Sequence, residues 1–199
     1  MTDGPATDPV PDRPRRGRVG LRRVGRILRR TGYVVVALAV LLVSGLLPVQ
    51  TIRIPSDSMT PTISPGDHLL LEKLHPAEVV RSSVVVLHDP LGDGLIVKRV
   101  VAVGGDSIGF ADGILMRNDR PVVEPYTIDF LDGVYYGPYV VPPGMIYVLG
   151  DNRQHSYDSR SFGPVPLDNV IGKAWFSNWP ADRIGLLPHY NYDDATPKQ

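Results

Sequence analysis

One stretch of this chain is uncharged and apolar enough to be read as a membrane-crossing helix, and it divides everything else in two. From Tyr33 to Val49 the sequence carries no charge, reading Tyr-Val-Val-Val-Ala-Leu-Ala-Val-Leu-Leu-Val-Ser-Gly-Leu-Leu-Pro-Val. At about 1.5 Å per residue the run extends roughly 25 Å, close to the lower limit of about 17 residues for a membrane-crossing helix. Before it lie Arg13, Arg15, Arg16, Arg18, Arg22, Arg23, Arg26, Arg29 and Arg30, opposed only by Asp3, Asp8 and Asp12. Lys plus Arg and Asp plus Glu are each 21 in the whole chain, so this basic front end leaves the remainder net acidic. A basic cluster can serve nucleic acid, but one that abuts an apolar segment points to a lipid bilayer instead. With the arginines on the N-terminal side only, the positive-inside rule places the N-terminus in the cytoplasm and everything after Gln50 outside. The rival reading is a cleaved secretory signal, with a weak site at Val43-Ser44-Gly45. Pro48 and the bulky Leu46 and Leu47 crowd that site and argue for a retained anchor.

The anchor sets the domain plan. Residues 1–32, rich in Pro, Gly, Asp and Arg, read as a disordered basic cytoplasmic leader. Residues 33–49 are the transmembrane helix, 50–187 an extracytoplasmic domain large enough to bury its own core, and 188–199 a polar tail. Within 50–187 the pattern changes to short β-branched runs: Leu69–Leu71, Val84–Leu87, Ile96–Val103, Ile114–Met116, Val122–Val123, Val140–Val141, Met145–Leu149 and Val170–Trp175. Breakers such as Pro65-Gly66, Gly104-Gly105, Asn118-Asp119 and Pro142-Pro143-Gly144 separate them. That spacing predicts a mostly β domain of antiparallel sheets or a partial barrel. Beyond a turn near Pro76–Arg81, no soluble helix is expected. The absence of cysteine excludes disulfides, thiolate metal sites and a cysteine nucleophile.

Three stretches carry residues suited to chemistry. The first, Ile54-Pro55-Ser56-Asp57-Ser58-Met59-Thr60-Pro61-Thr62-Ile63-Ser64-Pro65-Gly66-Asp67, places hydroxyls among prolines that fix φ and remove N–H donors. A stiff turn of this kind can hold Ser58 as a nucleophile; it can equally be a hydroxyl-rich surface turn. The second holds Lys98 on a strand face shared with Ile96, Val100 and Ala102, with Val97, Arg99, Val101 and Val103 on the other. Burial among apolar neighbours disfavours the ammonium form. An unperturbed lysine, at pKa about 10.4, is neutral in only about one molecule in a few thousand at pH 7, so a lysine base needs that shift. The alternative is an edge-strand lysine whose head reaches water. Lys73, next to Glu72 on an expected strand from His68 to Leu74, is the poorer base. The third stretch, Leu149 to Pro164, crowds acids, bases and hydroxyls after an apolar run, and is either solvated surface or one wall of a site. There Asp158 and Arg160 are spaced to pair, and His155 raises a Ser-His-Asp alternative. The chain has no Gly-x-Ser-x-Gly elbow to support that triad. His68, His75, His88 and His189 show no ligand spacing, so no metal or cofactor is expected.

Taken together and in this order after an N-terminal anchor, the motifs resemble those of type I signal peptidases, membrane serine proteases that remove signal peptides from exported proteins. The matching residues are Pro55-Ser56-Asp57-Ser58-Met59-Thr60-Pro61-Thr62 with Gly66-Asp67, Lys98-Arg99-Val100-Val101 with Gly105-Asp106, and Gly150-Asp151-Asn152-Arg153 with Ser156, Asp158, Ser159 and Arg160. The resemblance implies that Ser58 attacks the scissile carbonyl with Lys98 as general base. It implies an oxyanion hole from the Ser58 N–H and the Ser56 hydroxyl, a Ser156 hydroxyl that aims the Lys98 amine, and a supporting Asp158–Arg160 ion pair. Ile54, Pro55, Ile96 and Val97 would line pockets for small residues, the Ala-x-Ala preference. Two antiparallel sheets with an apolar surface toward the membrane are the implied fold. The short connection from Asp106 to Gly150 leaves room for a hairpin over Ile114–Val123 and resembles the compact Gram-positive forms. Gly104 stands where the family often has Pro, and Gln154 where it often has an acid.

About nine residues separate Val49 from Ser58, a reach of no more than ~30 Å, so Ser58 is expected to work near the outer membrane face. The expected partners are signal peptides of preproteins and the lipid bilayer. Two alternatives stay open on sequence: a dedicated Ser/Lys processing protease for one substrate, such as a pilin or conjugation factor, and a catalytically dead membrane-anchored binding domain.

Overall fold

Residues 18–43, 49–73, 79–127 and 131–190 are described by the structure, a computed structural model. Residues 1–17 of the expected leader, the candidate cleavage residues Ser44 and Gly45, positions 76–78 of the expected turn, and 191–199 of the tail lie outside them. The chain divides into two compact units, Met1–Leu47 and Pro48–Gln199.

Among the described residues of the first unit there is one helix, α1, over Arg18–Val43. It corrects two expectations. Residues 18–32 are helical and not disordered, because Leu21, Val24, Ile27 and Leu28 recur at helical spacing and arginine is itself a good helix former. The helix as described ends at Val43, and Val49 opens a strand, so the span 33–49 is not one continuous helix. Among the described residues no helix is long and apolar enough to cross a membrane. The uncharged part, Tyr33–Val43, extends about 16 Å, against a hydrocarbon core of about 30 Å. Its side chains are exposed from Tyr33 through Val40.

The second unit is mostly β. Its elements are β1 (Val49–Arg53), β2 (His68–Glu72), β3 (Val84–His88), β4 (Leu95–Val103), β5 (Ser107–Ala111), β6 (Ile114–Arg117), β7 (Arg120–Pro121), β8 (Tyr136–Val140), β9 (Met145–Leu149), a short helix α2 (Ser159–Phe162), β10 (Val165–Pro166), β11 (Val170–Trp179) and β12 (Gly185–Leu186). They form two antiparallel sheets, as expected. The larger runs β1-β2-β11-β3-β4-β9-β10 with β12 paired to β11; the smaller runs β7-β6-β5-β8. The smaller sheet replaces the single hairpin expected between Asp106 and Gly150. Its strands β5 (Ser-Ile-Gly-Phe-Ala) and β8 (Tyr-Gly-Pro-Tyr-Val) carry glycines that break the β-branched pattern. Gly109 is required there, since a Cβ would come within 2.7 Å of the Tyr136 carbonyl on β8.

The order of the larger sheet is not the order of the chain. β2 and β3 do not pair with each other; the late strand β11 lies between them, with Ala174 facing Leu71 on β2 and Val84 on β3. Burial follows three apolar clusters. Ile54, Met59, Ile63, Leu69, Leu71, Val84, Val86 and Val97 form one. Val101, Ala102, Phe110, Leu115, Tyr147 and Leu149 join the two sheets in a second. Val85, Leu87, Val100, Ile146, Val148 and Val165 form the third. β4 supplies all three, through Val97, Val100 and Val101, and its register shifts between Val100 and Ala102 opposite β9. The shift puts Ala102 with Val101, and Val103 back with Ile96 and Val100, so strict alternation along β4 holds only as far as Val101.

Candidate active site

Ser58 stands on the connection between β1 and β2, at the start of a turn running to Thr62. The turn is closed from within by Thr60 N donating to Asp57 O at 3.0 Å and Ile63 N donating to Met59 O at 2.9 Å. Its two ends are stitched together by Ile54 N to Asp67 O and Gly66 N to Ile54 O, each at 2.8 Å. Met59 and Ile63 plug into the core beside Ile54, so burial fixes the loop that the prolines stiffen. Ser58 itself is only 7 % exposed.

Lys98 comes from the middle of β4 and is 3 % exposed. Val85 sits directly across the ladder from it, and Ile96 and Val100 flank it along the strand, all three in one apolar cluster. The Nζ–Oγ separation between Lys98 and Ser58 is 2.7 Å, a hydrogen bond across forty positions of sequence. Burial pushes the Lys98 ammonium below the usual lysine range, against the opposing pull of the Asp158 and Asp89 carboxylates. Ser56 is exposed, with its hydroxyl 3.4 Å from Ser58 Oγ. Of the residues expected to line small-residue pockets, Ile54 and Val97 are buried in one cluster, Ile96 is half-buried and Pro55 is exposed.

The loop after β9 buttresses Ser58. Asn152 N donates to the Ser58 carbonyl at 3.1 Å. The Asp158 carboxylate receives a fork from Arg160, Nε to Oδ1 and Nη2 to Oδ2 at 2.8 Å each, and also accepts from Gly150 N at 3.0 Å. Asp158 caps α2 as well, so the expected pair forms across a helix N-terminus and not along an extended strand. Gly150 has no room for a side chain: a Cβ would run into Ser156 Oγ and the Ser58 carbonyl. Ser156 departs from expectation. Its Oγ is buried without a hydrogen-bond partner among the described residues, and it does not reach Lys98. Arg160 Nη2 holds the Ser156 carbonyl at 3.3 Å while the Asp158 fork fixes the loop, leaving the hydroxyl against Gly150.

His155 is exposed and its Nδ1 lies 3.3 Å from Asn152 Oδ1; it makes no hydrogen bond to Ser58. Lys73 is exposed past the end of β2, which stops at Glu72 and not Leu74. Among the described residues no three of His, Cys, Asp or Glu gather as metal ligands.

The sequence reading gave no role to Arg99, the neighbour of Lys98. It points to the opposite side of β4 and is fully buried. It binds Asp151 through Nε–Oδ1 at 2.8 Å and Nη2–Oδ2 at 2.6 Å, and donates to Ser82 O at 3.1 Å. Its Nη2 reaches Thr62 Oγ1 at 3.4 Å, and its guanidinium stacks 4.1 Å from the Tyr126 ring centroid. Alternation along the strand was the available signal: a charged residue beside a buried lysine must find its own partner on the other face.

Residues 27–179 match the family described as signal peptidase, peptidase S26. A probable signal peptidase I-1 of Synechocystis is 38 % identical over 156 residues, covering 71 % of this chain and 77 % of that protein. The signal peptidase I of Bacillus caldolyticus is 37 % identical over 138 residues, covering 62 % and 75 %. The crystal structure of a signal peptidase I from Enterococcus faecalis aligns with a TM-score of 0.44 at 26 % identity, covering 48 % of this chain and 96 % of that one.

Proposed function

The chain belongs to the signal peptidase, peptidase S26, family, and from that premise we propose that it is a signal peptidase I whose nucleophile is Ser58 and whose general base is Lys98. The single observation that carries the residue assignment is the 2.7 Å contact between two buried groups, one of them an amine that burial drives toward its neutral form. Ser58 Oγ attacks the scissile carbonyl of a preprotein and gives its proton to Lys98 Nζ. The resulting oxyanion is stabilised by the Ser58 N–H and the Ser56 hydroxyl. Lys98 then hands the proton to the departing amine, and the mature protein leaves. Water enters, loses a proton to the same nitrogen, and hydrolyses the acyl ester to restore Ser58. Asn152, Asp158 and Arg160 hold the loop that supports the Ser58 carbonyl.

The closed apolar surroundings of Ile54 and Val97 suit small side chains before the cut, in keeping with an Ala-x-Ala site. Membrane attachment is part of the same reading. The apolar side chains of Tyr33–Val40 are exposed along α1, a surface that water does not stabilise, and arginines crowd its N-terminal side only. The leader would then be cytoplasmic and the β unit extracytoplasmic, with the site held at the depth where a tethered substrate presents its cleavage point.

The test is incubation of the detergent-solubilised chain with a preprotein and sequencing of the new N-terminus. Cleavage after a small-x-small site is expected, with Ser58→Ala and Lys98→Ala both inactive. Cleavage that survives either change refutes the assignment.

A further inference from the structure

The residues that follow the family match do not trail away from the site. After Trp179 a single 3-10 turn, Ala181–Arg183, carries Arg183 back across the nucleophile's loop. Its Nη2 lies 3.2 Å from Pro61 O, 3.3 Å from Thr62 O and 3.5 Å from Asp67 Oδ2. The two carbonyls belong to the turn that begins at Ser58, and Asp67 closes the far end of the same loop, where its Oδ2 also accepts from Ser64 N at 2.9 Å. One guanidinium thus gathers oxygens from both arms of the Ser58 loop. Thr62 is the shared corner: its carbonyl faces Arg183, while its hydroxyl faces Arg99, the residue next to Lys98 on β4.

We propose that Arg183 is a positioning residue, holding the Pro61–Asp67 arm so that Ser58 Oγ stays within hydrogen-bond reach of Lys98 Nζ. This rests on the Ser58/Lys98 reading given above. Carbonyls of a proline-rich turn have few donors available, because proline supplies none, and a planar guanidinium spans several oxygens at once in a way that a point charge does not. Asp67 is nearly buried while Arg183 is about one-third exposed, so a small cation from solvent can reach the place that the side chain occupies. Small displacements at a nucleophile are costly: a shift near 1 Å lowers turnover by as much as about a hundredfold.

The experiment uses the full chain in detergent, cleaving a preprotein or a peptide with a small-x-small site. Arg183→Ala is expected to lower kcat by about tenfold or more with KM within about twofold, and Arg183→Lys to recover part of the loss. Millimolar guanidinium, far below denaturing concentrations, is expected to raise the turnover of Arg183→Ala severalfold and leave the parent unchanged. Should the alanine variant fold poorly, Arg183→Gln read at a temperature well below its own melting point gives the same comparison. The proposal falls if kcat of the variants stays within twofold of the parent, or if the loss matches the unfolded fraction and guanidinium restores nothing. Ser58→Ala runs alongside: residual cleavage there removes the underlying reading, whereas an inactive Ser58→Ala beside a fully active Arg183→Ala removes this inference alone.

Discussion

Asp151→Asn tests how the site is held together. Arg99 and Asp151 are both fully buried and meet in a two-pronged ion pair. Removing one member of a buried pair costs about 3–5 kcal/mol, because the other charge is stranded without water. Two features moderate that here. Asparagine keeps one carbonyl acceptor, and the Tyr126 ring stays 4.1 Å from the guanidinium, a desolvated contact worth about 2 kcal/mol. A loss of about 3 kcal/mol is therefore expected. At about 2–4 °C per kcal/mol for a unit of this size, the melting temperature should fall by about 6–12 °C. Thermal and urea unfolding, followed by circular dichroism, measure it, and an unchanged denaturant slope would show that compactness is unaffected. Arg99→Met with Asp151→Leu should recover most of the stability, since the desolvation cost goes with the charges. Turnover should stay depressed in that double variant, because Thr62 Oγ1 has lost the Arg99 donor. A single variant melting within about 2 °C of the parent would refute the reasoning, and so would a double variant less stable than Asp151→Asn.

Cleavage should rise with pH as Lys98 loses its proton, along one acidic limb placed below the ordinary lysine range by burial; a flat rate down to pH 5 would exclude the base. The same shift acts on stability. Folding opposes protonation of Lys98, so its cost is complete below the folded pKa and vanishes above the unfolded value of about 10.5, and the stability gained by Lys98→Met should grow as pH falls through that window. Asp158→Asn should move the acidic limb to lower pH, since the Asp158 carboxylate is the strongest influence holding the amine protonated; pH–rate profiles of parent and variant decide it. Gly150→Ala should abolish cleavage while the chain still folds, because its methyl group meets the Ser58 carbonyl, and circular dichroism beside an activity assay separates the two outcomes.

The parts of the site that were legible in sequence are those whose signal is local. Prolines around Ser58 announce a rigid turn, and a lysine flanked by Ile96, Val97, Val100 and Val101 announces burial. The strands not legible in sequence, β1, β5, β7, β10 and β12, are short or interrupted by glycine; β7 falls at Arg120–Pro121 and not at the expected Val122–Val123. The face assignment on β4 fails after Val101 because a bulge is set by the opposing strand β9, not by β4 itself. Ser156 and Arg183 show the same limit. Whether a hydroxyl turns toward an amine, or an arginine folds back on a distant loop, depends on three-dimensional closure that spacing does not encode.

The placement of β11 between β2 and β3 has a temporal meaning. The loop carrying Ser58 leads into β2 and Lys98 rides on the β3–β4 pair, yet these halves meet in the ladder only through a strand made some seventy positions after Lys98. On the Ser58/Lys98 reading, a nascent or clipped chain ending before Val170 is expected to carry both reacting side chains and yet be inert, since the strand that joins β2 to β3 is missing. Proteolytic competence would then arrive late, as a property of the finished sheet, and a half-made chain would have no means of cutting its neighbours.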